Sequence, residues 1–364
     1  MSFYEILQKD PAVIKGLIRN TDDKKEIKRL KFGMGLRSLL IVLFAIAFIA
    51  PLTSVFGSEN SCMAVSIFCI LLGVRFVDFG YCIQDSILNL TIVFLLLLIS
   101  PVLAYYVNPV LGFIIHFLSF FAILLITCDR PEMGNGGLFN FAYIFLSGNP
   151  VAGKVFWNRF LLMCVGLTIC GIIFFVKHRH KHQDIKFKDK LAEFSLYNQK
   201  HQWQIRMSLG IALILILGSF FGLERFMWAG FACGSLLSDH SENPEINERF
   251  LQRVAGVFAG SIAFYIIYSI IPSNLHIVIG PLGGFLLGFC TDYKYKTAMN
   301  CFGALMLASG IYGVQSAILL RIFDTFVGII FAVSFFNAYE FLVNNKYREK
   351  FNHHHFNCIN NEID

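Results

Sequence analysis

Arg321 and Asp324 stand three residues apart inside the apolar run Ser316 to Phe336, a spacing that puts them on one face if the run is helical. A charge inside a membrane-spanning helix costs about 2.5–3.5 kcal/mol on insertion scales, so each one needs a partner or a task. Two readings stay open. In one, the carboxylate neutralises the guanidinium as a structural ion pair; in the other, it exchanges that role with an anion or a proton. Arg159 opens the run Arg159 to Val176 and has Leu162 where the acid would stand. A guanidinium without an acid is freer to hold a carboxylate through paired N–H bonds. Arg249 and Arg253 lie one turn apart at the entry of the run Val254 to Ile271, preceded by Asp239, His240, Glu242, Glu245 and Glu248. They either draw anions toward an opening or anchor the chain and pair locally. Arg75, Asp78 and Asp85 pose the same choice in the first half. The candidates for anion binding are therefore Arg159, Arg253 and Arg321, and those for proton coupling are Asp324, Asp85 and Asp239.

Other chemistry has little footing. There is no G-x-S-x-G, H-E-x-x-H or P-loop pattern and no aspartate-rich pair, so neither an enzyme nor ATP-driven transport is expected. The segment His178 to His182 (HRHKH) and the triplet His353 to His355 have metal-binding residue types, but polar flanks favour a solvated linker and a loose tail. No metal and no cofactor is expected. The ten Cys fall mostly inside apolar runs, among them Cys69, Cys164, Cys170, Cys233 and Cys301, and read as packing residues rather than disulfides.

The elements that position these charges follow from composition. Of 364 residues, 56% are hydrophobic and 15% charged, with 40 Phe, whereas a soluble chain carries about 25% charged residues. The excess must face lipid. Long apolar runs cover Leu36 to Val55, Ile87 to Val107, Val110 to Thr127, Arg159 to Val176, Met207 to Phe221, Val254 to Ile271 and Ser316 to Phe336. Shorter ones cover Ser61 to Val77, Leu138 to Leu146, Phe226 to Leu237, His276 to Cys290 and Ala298 to Tyr312. At roughly 20 residues per span, the expected fold is all-α and polytopic, with twelve crossings and no separate soluble domain. The polar, basic first 35 residues lack a cleavable leader pattern, so the first run is expected to stay as an anchor. The pairs Gly230 and Gly234, Gly256 and Gly260, and Gly284 and Gly288 are GxxxG spacings, where small residues let helix backbones approach closely.

Basic residues set the orientation. Nine (Lys9, Lys15, Arg19, Lys24, Lys25, Lys28, Arg29, Lys31 and Arg37) precede or open the first run, and eight (Lys177, Arg179, Lys181, Lys186, Lys188, Lys190, Lys200 and Arg206) fill the central linker. Both segments should be cytoplasmic, which requires an even number of crossings between them. The expected organisation is a basic N-terminal segment (1–35), a six-helix unit (36–176), a linker (177–206), a second six-helix unit (207–340) and a cytoplasmic tail (341–364). The multi-pass chain is expected in the inner (plasma) membrane with both termini in the cytoplasm. Its positive charge is an anchoring charge, and nucleic acid is not an expected partner. The halves also resemble each other. Leu124 to Cys128 aligns with Leu286 to Cys290, and Arg159 to Gly166 with Arg321 to Gly328, at one common offset. With even crossings per half, such repeats run parallel, as in many transporters.

In the second half, Arg206 precedes an apolar helix, Trp228 lies in the next, and two motifs follow: Arg249-Phe-Leu-Gln-Arg253-Val-Ala-Gly256-Val-Phe-Ala-Gly260 and Arg321-Ile-Phe-Asp324-Thr-Phe-Val-Gly328. This order resembles the fusaric acid resistance and aromatic acid exporter (FUSC-like) family, whose six-helix unit is also similar to the plant aluminium-activated malate transporters. The resemblance is clear over about residues 200 to 340 and weaker over 30 to 180, where Cys82-Ile-Gln84-Asp85 occupies the place of the Arg-rich motif. Many members carry large cytoplasmic domains after each unit; here a short linker and a short tail stand in those places. The resemblance implies a secondary transporter that exports small organic anions, aromatic carboxylic acids first among them, on the proton gradient. A homo-oligomer is compatible with it. A passive organic-anion channel of the malate-transporter type and a non-transporting membrane scaffold are the alternatives.

Overall fold

The computed structural model describes residues 2–238 and 246–360, and among them every regular element is a helix. The basic N-terminal segment, read above as a polar lead, folds into two short helices and the start of a third. In α1 (Phe3–Gln8) the Ser2 hydroxyl and the Glu5 carboxylate cap each other's backbone. In α2 (Pro11–Arg19) Asp10 is the cap and Pro11 fills the first turn, where its missing N–H costs nothing. Asp23 caps the long α3 (Lys24–Phe56). Ile6 and Ile14 bury themselves against Leu30, Met34 and Phe289, which fastens the N-terminus to one end of the bundle.

The rest of the first half is α4 (Ser61–Val74), α5 (Ile83–Tyr106), α6 (Pro109–Thr127), α7 (Asn135–Ser147) and α8 (Gly153–His178). After a linker containing α9 (Phe187–Ala192) come α10 (Gln199–Phe220), α11 (Met227–Leu237), α12 (Ile246–Ile270), α13 (Ile279–Leu287), α14 (Tyr293–Tyr312) and α15 (Val314–Asn360). All twelve apolar runs are helical. By length and composition, seven of the helices found among the described residues are each a candidate full span: α3, α5, α6, α8, α10, α12 and the first thirty residues of α15. The other five runs give helices that are shorter or less apolar than a full span. At about 1.5 Å per residue, α7, α11 and α13 reach roughly 14–20 Å, well short of the roughly 30 Å hydrocarbon core. Pro272, and the left-handed Gly222 and Arg225, break the chain before α13 and α11.

Helix ends buried in such a bundle need partners, because lipid supplies none. Three asparagines provide them, two buried and one half-buried. Asn60 donates to the carbonyls of Phe56 and Val155, Asn135 to Thr127 and Asn149 to Phe145, at 2.8–3.2 Å. Packing runs α12 along α14, α11 along α15 and α10 along α6, with α4 and α5 both on α8. At the α12–α14 seam a Cβ added to Gly256 would lie 2.5 Å from the Lys294 carbonyl oxygen, and one on Gly260 would lie 2.5 Å from that of Ala298. Only glycine allows that approach. Gly230 faces Ile144, Gly234 faces Asn140 and Gly288 faces Ser38, whereas Gly284 has ordinary room, 3.5 Å from Val42.

One end of the bundle gathers the N-terminal helices, the linker and the loop carboxylates Asp78 and Asp129. Asp78, in the loop after α4, meets Arg130 at 3.1 Å, Lys181 at 3.0 Å and His182 at 3.1 Å. Asp129 meets Lys190 at 3.4 Å and Lys200 at 2.9 Å. Burial alone would raise the Asp78 pKa, but Lys181, His182 and Arg130 together hold it down at about 2. The linker is thereby strapped across the loops of the first half. Tyr339 of α15 joins the same end through the Gln202 carbonyl, as does Lys15 through Thr291.

Candidate functional site

Arg321 and Asp324 sit in α15 about one turn apart, exposed by 5% and 1%. They share a helix but not an ion pair, since no oxygen of Asp324 comes within 4.0 Å of the guanidinium. The Arg321 Cζ instead lies 5.1 Å from the ring centroid of Trp228, a residue of α11, in a cation–π contact. Nε and Nη1 of Arg321 and Oδ2 of Asp324 are buried and have no hydrogen-bond partner. A buried donor or acceptor left unmatched costs about 1–3 kcal/mol, more if charged, and three such atoms lie within this one turn. The backbone allows this because Gly328, two turns further on, lets α15 press against the Ala229 backbone of α11, bringing Trp228 under Arg321.

Arg159 is the opposite case. In α8, exposed by 1%, it donates from Nε to Asn60 Oδ1 at 2.9 Å, from Nη1 to the Asn149 carbonyl at 2.8 Å, and from Nη2 to the Glu59 carbonyl at 3.0 Å and Cys62 Sγ at 3.2 Å. It is not the free guanidinium that the missing acid at Leu162 suggested; all three nitrogens tie α8 to the start of α4 and the end of α7. Arg253 of α12 is intermediate. Its Nη1 donates to Ser235 Oγ at 2.7 Å and to the Tyr293 hydroxyl at 2.9 Å, the Tyr293 hydroxyl donates to Ser235 Oγ at 2.7 Å, and its buried Nε has no partner. Arg249 lies over the Tyr293 ring, 5.4 Å away.

The remaining candidates separate. Asp85, in the first turn of α5, accepts the Phe187 backbone N–H at 2.8 Å and so belongs to the linker strap. Asp239 lies outside the described residues. The linker histidines are engaged singly: His178 Nε2 with the Val74 carbonyl at 2.8 Å, His180 with Arg179, and His182 with Asp78. His353 to His355 have no described side chains. Among the described residues no group of three or more His, Cys, Asp or Glu is placed to hold a metal ion.

Sequence reasoning did not pick out Arg225, which stands in the loop before α11 with its Cζ 5.5 Å from the Trp228 ring and 5.4 Å from the Tyr312 ring. The signal was there. Arg225 and Trp228 are three residues apart, a short reach along the chain from a guanidinium to an indole ring.

A helical bundle with this many lipid-length apolar helices, and with charged atoms unmatched in its interior, is a multi-pass all-α membrane protein. Residues 211–335 are similar to the family model described as fusaric acid resistance protein-like. The match takes in α11 to α14 and the Arg321–Asp324 turn. No curated protein and no solved structure gives a match.

Proposed function

We propose that the protein is a secondary transporter that exports small organic anions, aromatic carboxylic acids first among them, on the proton gradient. It works in the inner (plasma) membrane with both termini cytoplasmic. The observation that carries this reading is the buried turn at Arg321: a guanidinium stacked on Trp228 with two nitrogens unmatched, and a carboxylate one turn away with an oxygen unmatched. An anionic substrate supplies what the guanidinium lacks. Asp324 handles the proton. Its proton is taken up from outside after the anion has left and is released inside before the next anion binds, so that a proton moves inward as an anion moves outward. An inside-negative potential adds about 2.3 kcal/mol per 100 mV to the outward movement of a monovalent anion.

The family match, the shared element order of the two halves and the gathering of basic residues at one end all support this reading. We read residues 36–176 and 207–340 as parallel repeats of which the second has kept the anion-handling residues, while Arg159 serves the structure of the first. Purified protein in liposomes tests it. Under an imposed pH gradient, labelled benzoate should accumulate against its own gradient. Dissipation of the benzoate gradient without accumulation would make the protein a passive channel, and the absence of any flux would make it a scaffold.

A further inference from the structure

At the end of the bundle away from the linker, a cleft of about 560 Å³ opens between α12, α14 and α15. Tyr265, Tyr268 and Tyr312 supply its rings, and Ser269, Gln315 and Ser316 most of its other polar side chains. The geometry that makes it is local. Tyr265 and Tyr268 are three residues apart on α12, so their rings share a face. Tyr312 ends α14, and Gly313, at φ 78°, turns the chain directly into α15. One face of Tyr268 is already covered by the His276 ring, 3.8 Å between centroids.

No charged side chain lines the cleft, but one stands a single ring away. Arg225 lies over Tyr312, and from it a ladder of alternating rings and cations runs inward: Tyr312, Arg225, Trp228, Arg321, at successive separations of 5.4, 5.5 and 5.1 Å. Arg225 has a left-handed backbone, φ 51°, which is strained for a residue with a side chain and persists only where its surroundings enforce it. Its buried Nε has no hydrogen-bond partner. Charge settles the class of occupant. A cation would be repelled by Arg225, although tyrosine rings alone would welcome one. A flat ring bearing one carboxylate meets both halves of the site, stacking on the tyrosines and reaching the guanidinium past Tyr312.

We propose that this cleft, with Arg225, is an outer binding site for small aromatic monocarboxylates, separate from the buried Arg321 turn. It rests on the exporter reading only for its role as the exit station; binding itself needs neither transport nor Arg321. The test places a thiol in the cleft by Gln315→Cys, at an exposed position, in the full-length protein in liposomes. Its modification by an impermeant thiosulfonate is timed against the parent with sodium benzoate, cyclohexanecarboxylate or acetate at equal concentration. Benzoate should protect the introduced thiol, and the other two should do so far less. Adding Arg225→Gln should raise the benzoate concentration for half-protection about tenfold, with Arg225→Lys in between because it keeps the charge without the planar fork. Equal protection by all three acids, or by none, overturns the site with Arg225 untouched, so that outcome does not depend on the Arg225 variants folding. Protection unchanged by Arg225→Gln overturns it as well. Selective benzoate protection in a protein that shows no uphill flux upholds the site and removes the exporter reading.

Discussion

Replacing Arg159 with Gln should destabilise the protein rather than alter what it carries. The guanidinium serves three oxygens and one thiol, and these are not equivalent. Glu59 is exposed, so its carbonyl can turn to water, but Asn60 is fully buried and Asn149 is half-buried. Two acceptors are left without a donor, Asn60 Oδ1 where water does not reach and the Asn149 carbonyl where water reaches only in part. At about 1–3 kcal/mol for each stranded group, the loss is about 4 kcal/mol, within the range measured for breaking buried charged networks. With about 2–4 °C per kcal/mol for domains of a few hundred residues, the melting midpoint should fall by roughly 10 °C. The assay is size-exclusion survival of detergent-solubilised protein after heating, with flux measured in parallel. Arg159→Lys should recover only part of the loss, since one ammonium cannot reach acceptors placed around a planar fork. An Arg159→Gln protein that melts like the parent yet loses benzoate transport would refute the reasoning and return Arg159 to the substrate path.

Other outcomes follow from the same geometry. Gly260→Leu should sharply lower the yield of folded protein, because its side chain would enter the Ala298 backbone, whereas Gly284→Leu, 3.5 Å from Val42, should cost far less; equal yields of the two would contradict the packing. Arg321→Gln should weaken substrate binding, while Asp324→Asn should mainly uncouple flux from pH, and a double variant with normal, pH-dependent flux would remove the pair from the mechanism. Because the Asp78 pKa is depressed, its contribution to docking the linker is full above about pH 4 and is lost as pH falls toward about 2. Asp78→Asn should remove it at neutral pH and speed tryptic cutting of the linker severalfold, and unchanged cutting would show that the strap does not depend on that charge. Cys358 should resist an impermeant thiol reagent applied to intact cells, since labelling there places the C-terminus outside.

Much of the architecture was legible because lipid imposes one rule on every run: apolar residues in sequence become helix, and each predicted run from Leu36 to Phe336 is one. Length was less legible. Phe226 to Leu237 and His276 to Cys290, already the shorter runs, are cut by glycine, proline and a left-handed arginine to helices of eleven and nine residues. The N-terminal helices had their signals in Ser2 with Glu5 and in Asp10 with Pro11, hidden by an overall polar, basic composition. Of the charged candidates, types and places could be read but partners could not. Arg159 and Arg321 open matching sequence motifs, yet one is saturated by atoms as far as 100 residues away and the other is stacked on a ring 93 positions earlier. Spacing along a helix shows what a residue's neighbours on its own face are; it carries nothing about the faces opposite.

The strap across the first half sets a timetable for synthesis. Asp78 emerges from the ribosome long before Lys181 and His182, and Asp129 long before Lys190 and Lys200. At about 5–20 residues per second, Asp78 waits on the order of ten seconds for the linker, with the Gly80 N–H and Arg130 arriving earlier. The helices of the first half are therefore placed in the bilayer with their loop carboxylates still open to water, and their final clasp closes only as the second half begins to insert. A ribosome that stalls before residue 181 leaves a first half that is inserted but unclasped, a ready target for membrane proteases. One that passes residue 200 leaves a half already latched and waiting for its mate.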